Sequence, residues 1–154
     1  MLSAVSAASR PQFVVCEDGT EYLDRFRRFL GAEFDFVVAH DYAETCAVLG
    51  GATGLLLDLD FRRTPADRLI DERGALPHAL DDGTRRRLAE TQGILILRQL
   101  RATGVSLPAI LFADLDDGER ARFLERTLAP LTVAGSQLGL RDIAALMRAR
   151  RAAR

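Results

Sequence analysis

Acidic residues follow three short apolar runs of this sequence. Glu17 and Asp18 come after Phe-Val-Val-Cys, Asp58 and Asp60 come at the end of Leu-Leu-Leu, and Asp114 comes after Ile-Leu-Phe-Ala. If the runs are parallel strands, these carboxylates meet at the carboxyl edge of one sheet, where open α/β folds bind ligands. Carboxylates gathered there repel one another unless a cation or a proton lies among them. The pattern therefore indicates a divalent-metal or phosphoryl site, or the remains of one.

The composition favours one soluble domain. The chain has 154 residues, of which 48% are hydrophobic and 28% are charged, and a chain of this size forms a single core. The net charge of -1 gives no global attraction to nucleic acid. No apolar stretch is long enough to span a membrane, and residues 1–12 have no signal-peptide pattern. We expect a cytoplasmic protein with a flexible N-terminal arm at residues 1–12 and one domain at residues 13–150.

Apolar runs alternate with amphipathic segments along the chain. Strands are predicted near residues 13–16, 34–39, 54–57, 109–113 and 131–134. Helices are predicted near residues 20–30, from 41, over 84–102, from 116 and over 140–150. Thr20 and Asp41 are placed to cap the first two helices. The alternation predicts an α/β fold with a flavodoxin-like, doubly wound, five-stranded parallel sheet.

One segment does not follow this alternation. Residues 61–82 contain two prolines, a glycine and many charges, with no clear periodicity. A structureless stretch of this length is unusual in a compact domain and is often functional. Because it follows the acidic end of the third strand, we expect it to lie beside the acidic edge. It would act there as a lid or a partner epitope, or it would be a tolerated surface loop.

From about Phe13 to Leu146, the sequence resembles the receiver domain of two-component response regulators. Receivers have an acidic pair at the end of strand one, as in Glu17–Asp18, and a phosphoacceptor aspartate within an apolar-apolar-Asp-Leu pattern, as in Leu56–Leu59. The proline-led fourth strand at 108–113 and the helix pattern at 93–101 are also similar to the family.

The resemblance implies a signalling domain with the strand order 2-1-3-4-5. It implies that Glu17, Asp18 and Asp58 hold Mg²⁺, which prefers hard oxygen ligands, and that Asp58 is the phosphoacceptor for a phosphohistidine or a small phosphodonor. Beyond that phosphoryl transfer, no enzymatic activity is implied. The domain would act through protein partners, with a histidine kinase among them and homodimerisation as a further alternative.

The sequence departs from the receiver pattern in the half of the site that senses phosphorylation. Receivers have Thr or Ser at the end of strand four, where this chain has Ala113, and Lys at the end of strand five, where residues 132–135 read Thr-Val-Ala-Gly. All 21 basic residues are arginine, so no lysine ammonium exists in this chain. The departures predict an atypical or pseudo-receiver. Four arginines of the 61–82 insertion are candidates to replace the lysine: Arg62, Arg63, Arg68 and Arg73.

Two enzyme classes remain as alternatives. Asp58-Leu59-Asp60, with Thr64 nearby, also resembles the Asp-x-Asp motif of haloacid-dehalogenase-type phosphatases. In a Toprim-like metal nuclease, a glutamate such as Glu17 and an Asp-x-Asp pair such as Asp58 and Asp60 would hold Mg²⁺. The phosphatase motif usually follows the first strand and needs a lysine, which this chain lacks. The neutral charge balance and the receiver-like second half of the chain argue against the nuclease. A stand-alone receiver-like signalling domain is therefore favoured over both. Its partner surface would be the face formed by residues 116–150.

Overall fold

A computed structural model describes residues 9–151, with the side chain of Arg151 excepted. Its five strands are β1 Gln12–Cys16, β2 Asp35–Ala39, β3 Gly54–Asp58, β4 Ala109–Phe112 and β5 Leu131–Ala134. Its α-helices are α1 Glu21–Leu30, α2 Tyr42–Val48, α3 Asp82–Glu90, α4 Gln92–Ala102, α5 Gly118–Thr127 and α6 Leu140–Arg151. Most of the predicted N-terminal arm, residues 1–8, lies outside the described residues.

All five strands pair in parallel, in the order β2-β1-β3-β4-β5. This arrangement confirms the predicted flavodoxin-like sheet and its strand order. In the register, Cys16 pairs with Leu57 and Asp58 pairs with Phe112. The carboxyl ends of β1, β3 and β4 are therefore side by side, which is the condition for the acidic residues to share one edge.

The period of two along each strand divides the core into two layers. Val14, Leu55 and Leu57 belong to one cluster, which also includes buried side chains of α3, α4 and α5. Phe13 and Leu56 belong to a second cluster with buried side chains of α1 and α6. The buried side chains of the central strands pack against one layer or the other, which explains why these strands read as unbroken apolar runs. Helices on both faces are what right-handed crossovers produce.

The prediction of a single helix over residues 84–102 is wrong. The structure has two helices, α3 and α4, which meet at Thr91. The capping of α1 also differs from the prediction, because Thr20 makes no side-chain bond to the helix backbone and its hydroxyl donates to Asp24 instead. The cap of α2 is confirmed, since Asp41 accepts a 2.8 Å hydrogen bond from the Glu44 amide.

The segment between β3 and α3 is anchored to the core at several points. It contains one short 3₁₀ helix, Ala66–Arg68, and Phe61, Leu69 and Ile70 are at most 1% exposed. The buried amide of Gln92 holds this segment on α4, accepting from the Ile70 amide at 2.9 Å and donating to the Ile70 carbonyl at 3.1 Å. This part of the chain therefore has a defined path past the acidic edge.

Across residues 9–151, none of the helices is long and apolar enough to cross a membrane.

Candidate functional site

Asp58 is the last residue of β3 and lies in a pocket at the carboxyl edge of the sheet. One of its oxygens, Oδ1, accepts a 2.8 Å hydrogen bond from the Leu59 amide. The pocket has a volume of about 540 Å³. It is lined by Tyr22, Arg25, Asp58, Leu59, Asp60, Arg62, Phe112, Ala113, Asp114, Ala134, Gly135, Ser136, Leu138 and Ile143. The predicted phosphoacceptor position thus opens into a cavity that a small anion fits.

The pKa of Asp58 is raised to about 6, chiefly by burial, with a smaller contribution from the nearby carboxylates of Asp18, Glu17 and Asp60. The hydrogen bond from the Leu59 amide acts in the opposite direction, because it favours the charged form. The Asp58 carboxyl is therefore protonated below pH 6 and mostly ionised above pH 7. Its carboxylate form, the form that can act as a nucleophile, is available at neutral and mildly basic pH.

The Glu17 carboxylate contacts the start of α1. Its side chain is 1% exposed, and its two carboxylate oxygens accept from the backbone amides of Tyr22 at 3.1 Å and Leu23 at 2.8 Å. These are amides of the first helical turn, which have no partner within the helix. Burial raises the pKa of Glu17, and the two amide bonds oppose that rise. Glu17 thus takes the capping role that Thr20 does not fill.

Asp18 is held by an arginine of the inserted segment. Its Oδ2 accepts from the backbone amide of Arg63 at 2.8 Å, and its Oδ1 accepts from Arg63 Nη2 at 2.9 Å. The same guanidinium donates to both carboxylate oxygens of Glu21, at 2.7 and 3.0 Å. The hydrogen bonds from Arg63 lower the pKa of Glu21 to about 2. Arg63 therefore links the inserted segment to the loop between β1 and α1, which is distant in sequence.

The other arginines proposed from the sequence lie elsewhere. Arg62 is ion-paired with Asp60, with Nε 2.6 Å from Oδ2, and Arg62 lines the Asp58 pocket. Arg68 is ion-paired with Asp41 on the side of α2. Arg73 donates its backbone amide to Asp71, within the inserted segment. Among these four, Arg62 is the one whose side chain lines the predicted phosphoacceptor pocket.

Two of the three predicted metal ligands have no carboxylate oxygen without a hydrogen bond. Both oxygens of Glu17 and both oxygens of Asp18 accept hydrogen bonds from the protein. Within residues 9–151, no group of three or more His, Cys, Asp or Glu side chains is arranged to hold a metal ion. The donor set in this conformation does not fit Mg²⁺, so a magnesium site at Glu17, Asp18 and Asp58 stays a prediction.

The pocket is also lined by residues near the ends of β4 and β5, where the receiver resemblance predicts a hydroxyl and an ammonium group. Ala113 and Ala134 line it, and neither side chain has a polar group to offer a phosphoryl oxygen. Asp114, two residues after β4, accepts a 2.7 Å hydrogen bond from the Ser136 amide. That bond lowers the pKa of Asp114 and fixes the loop that follows β5.

Sequence reasoning missed Tyr22 and Arg25 as pocket residues. They are three positions apart on α1, so they lie on one face of that helix, and both line the Asp58 pocket. The Tyr22 ring stacks on Phe112 with centroids 4.9 Å apart. Helical spacing from the acidic strand end could have indicated them, but the sequence does not show which face of α1 meets the pocket.

Comparison with solved structures assigns this architecture to the receiver class. The structure is similar to the receiver domain of the Francisella response regulator 1452, with a TM-score of 0.65 at 14% identity, covering 94% of this chain and 100% of that one. It is also similar to a two-component response regulator from Clostridium difficile, with a TM-score of 0.62 at 10% identity, covering 93% and 97%. A third match is the BeF3-activated receiver domain of Klebsiella pneumoniae RstA, with a TM-score of 0.60 at 18% identity, covering 90% and 97%.

The chain therefore has the fold of response-regulator receiver domains, which confirms the resemblance seen in the sequence. No protein-family model matches the sequence, and no curated protein matches it. At 10–18% identity, these three matches establish the fold and leave the residues of the site to be argued from their own geometry.

Proposed function

We propose that this chain is a receiver-like signalling domain that acts through protein–protein contacts and does not depend on phosphorylation. The observation that carries this proposal is an exposed apolar and basic patch on α5, on the face that the sequence predicted for partners. Phe123 is 50% exposed there. Next to it are three exposed arginines of the same helix: Arg120, Arg122 and Arg126.

The patch has three arginines and one carboxylate, Glu119, so its charge is positive on balance. None of the eight ion pairs found among the described residues involves an arginine of α5. A half-exposed phenylalanine with arginines around it is typical of the central residues of protein interfaces, where aromatic side chains and arginine are enriched. The patch supports a partner that presents an acidic surface with an apolar centre.

Replacing Phe123 by serine is expected to abolish partner binding and leave the fold intact. The tagged chain would be isolated from cells of its source organism, and the bound proteins would be compared by quantitative mass spectrometry. Phe29→Ser is the matched control, because Phe29 is a phenylalanine of similar exposure, 58%, on α1. Partners should be retained with the wild type, with Phe29→Ser and with Asp58→Asn. Equal retention by Phe123→Ser would contradict the proposed surface, and loss with Asp58→Asn would indicate a phosphorylation-dependent contact.

Phosphoryl acceptance at Asp58 is the second candidate function, favoured by the open pocket and the accessible carboxylate. In that reaction an oxygen of Asp58 attacks the phosphorus of acetyl phosphate. The bond from phosphorus to the acetate oxygen breaks, acetate leaves, and an acyl phosphate forms on Asp58. Against this function stand Ala113 and Ala134, which offer no direct bond to the phosphoryl group. A charge-assisted hydrogen bond contributes roughly 1.5–3 kcal/mol, and two such bonds are absent.

We expect no phosphate adduct on the wild-type chain after incubation with acetyl phosphate at pH 8, where Asp58 is ionised. Intact-mass spectrometry would be run with and without Mg²⁺, beside Asp58→Asn and beside a conventional receiver as a positive control. An adduct on the wild type that is missing from Asp58→Asn would contradict this expectation and make the second candidate the function.

The phosphatase and nuclease alternatives have less support. Each needs carboxylates that act together with Asp58, yet those of Glu17 and Asp60 are engaged by α1 and by Arg62. A cytoplasmic location, a histidine kinase partner and a homodimer remain predictions from the sequence. The same is true of the single-domain boundaries at residues 13–150.

A further inference from the structure

The acidic edge already contains a cation supplied by the protein. The Arg63 guanidinium is 2.9 Å from Asp18 Oδ1 and makes two further hydrogen bonds to Glu21. Two carboxylates, from the loop after β1 and from the first residue of α1, thus share one positive charge. Hydrogen bonds between ionised partners in this two-pronged arrangement are among the strongest that side chains form.

The guanidinium covers Asp18 from solvent. The Asp18 side chain is 6% exposed, whereas that of Arg63 is 57% exposed on the outer side. Gly19 leaves room for this contact, because a Cβ at Gly19 would come within 2.7 Å of Arg63 Cζ. A divalent cation that used Asp18 would have to displace both the guanidinium and the Arg63 amide.

The inserted segment positions Arg63 before any ligand arrives. Phe61 is fully buried, and its amide donates to the Ala89 carbonyl at 2.8 Å. Thr64 is also buried, and its amide donates to the Phe61 carbonyl at 3.1 Å. The backbone on both sides of Arg63 is therefore fixed, so little backbone entropy is lost when the guanidinium binds Asp18.

We infer that Arg63 takes the place of a divalent cation at Asp18, so that the inserted segment neutralises the acidic edge from within and suppresses Mg²⁺ binding. In this role the guanidinium of Arg63 is a permanent counterion for the Asp18 carboxylate. This inference rests on the proposed function only in treating this edge as the ligand-binding edge of a receiver fold. It does not depend on whether Asp58 accepts a phosphoryl group or whether Phe123 contacts a partner.

Titration with Mg²⁺ alone tests the inference. Binding would be followed by the amide NMR signals of Asp18 and Asp58 in the wild type, in Arg63→Gln and in Arg68→Gln. We expect Arg63→Gln to bind Mg²⁺ at least about tenfold more tightly than the wild type, because the metal no longer competes with a charge-assisted bond. Arg68→Gln is the matched control and should behave as the wild type, since Arg68 belongs to the same inserted segment but pairs with Asp41 at the start of α2.

Equal affinity in the wild type and Arg63→Gln, or no binding to either, would overturn the inference. A second comparison does not require Arg63→Gln to fold. If the wild type binds Mg²⁺ saturably and Asp18→Asn abolishes that binding, Asp18 is free for metal and Arg63 does not suppress it. Neither result bears on the mass measurement at Asp58 or on partner retention, so failure of this inference is distinguishable from failure of the proposed function.

Discussion

Gly93→Ala is expected to lower the free energy of unfolding by about 2–4 kcal/mol, although alanine is ordinarily the better helix former. Gly93 is buried at the start of α4, where the helix crosses the end of β3. A Cβ there would overlap the Asp58 carbonyl oxygen, and it would lie 3.0 Å from the Asp58 carbonyl carbon and 3.1 Å from Leu59 Cα. These are backbone atoms, so no side chain can rotate away. Urea unfolding monitored by circular dichroism measures the loss.

Gly50→Ala is the control for this substitution. Gly50 lies just beyond α2, its φ is not positive, and a Cβ there would meet no atom within 4 Å. Alanine should leave stability unchanged or raise it by up to about 1 kcal/mol, because it restricts the unfolded chain. If Gly93→Ala were as stable as Gly50→Ala, the close approach between α4 and the end of β3 would not exist in solution.

Glu17→Ala is expected to lower the free energy of unfolding by about 2–3 kcal/mol in metal-free buffer. The substitution removes the acceptor of two backbone amides, those of Tyr22 and Leu23, and leaves donors of the first turn of α1 without a partner. It also removes a negative charge from the positive end of a helix. Thermal and urea unfolding in the presence of EDTA would measure this loss. Glu17→Gln should lose less, because its amide oxygen still accepts one of the two bonds.

Glu90→Ala provides the comparison, since Glu90 is an exposed carboxylate of α3 and its loss should change stability by no more than about 0.5 kcal/mol. If Glu17 were instead a free metal ligand, its replacement by alanine would raise the free energy of unfolding in metal-free buffer. Without a metal, removing one of several repelling carboxylates relieves repulsion and stabilises the fold. A gain of stability in Glu17→Ala would therefore indicate a ligand role, contrary to the geometry.

The sequence by itself determined the five strands, most of the helices and the place of the acidic edge. The five predicted strands and the Asp41 cap are local patterns of a few residues, and the structure confirms them. The strand order came from the resemblance to receivers and is also confirmed. The boundary between α3 and α4 was missed because residues 84–102 continue a helical pattern across Thr91.

Only the tertiary structure decided what each acidic side chain does. Asp18 and Arg63 are 45 residues apart, and nothing in either segment specifies that pairing. Glu17 could have faced Asp58, but the packing of α1 brings two backbone amides to it instead. Strand and helix patterns depend on neighbours in sequence, whereas the partner of a carboxylate depends on distances between segments that only the folded chain brings together. For this reason the position of the acidic edge could be predicted from the sequence, whereas the contact between Asp18 and the Arg63 guanidinium is seen only in the folded chain.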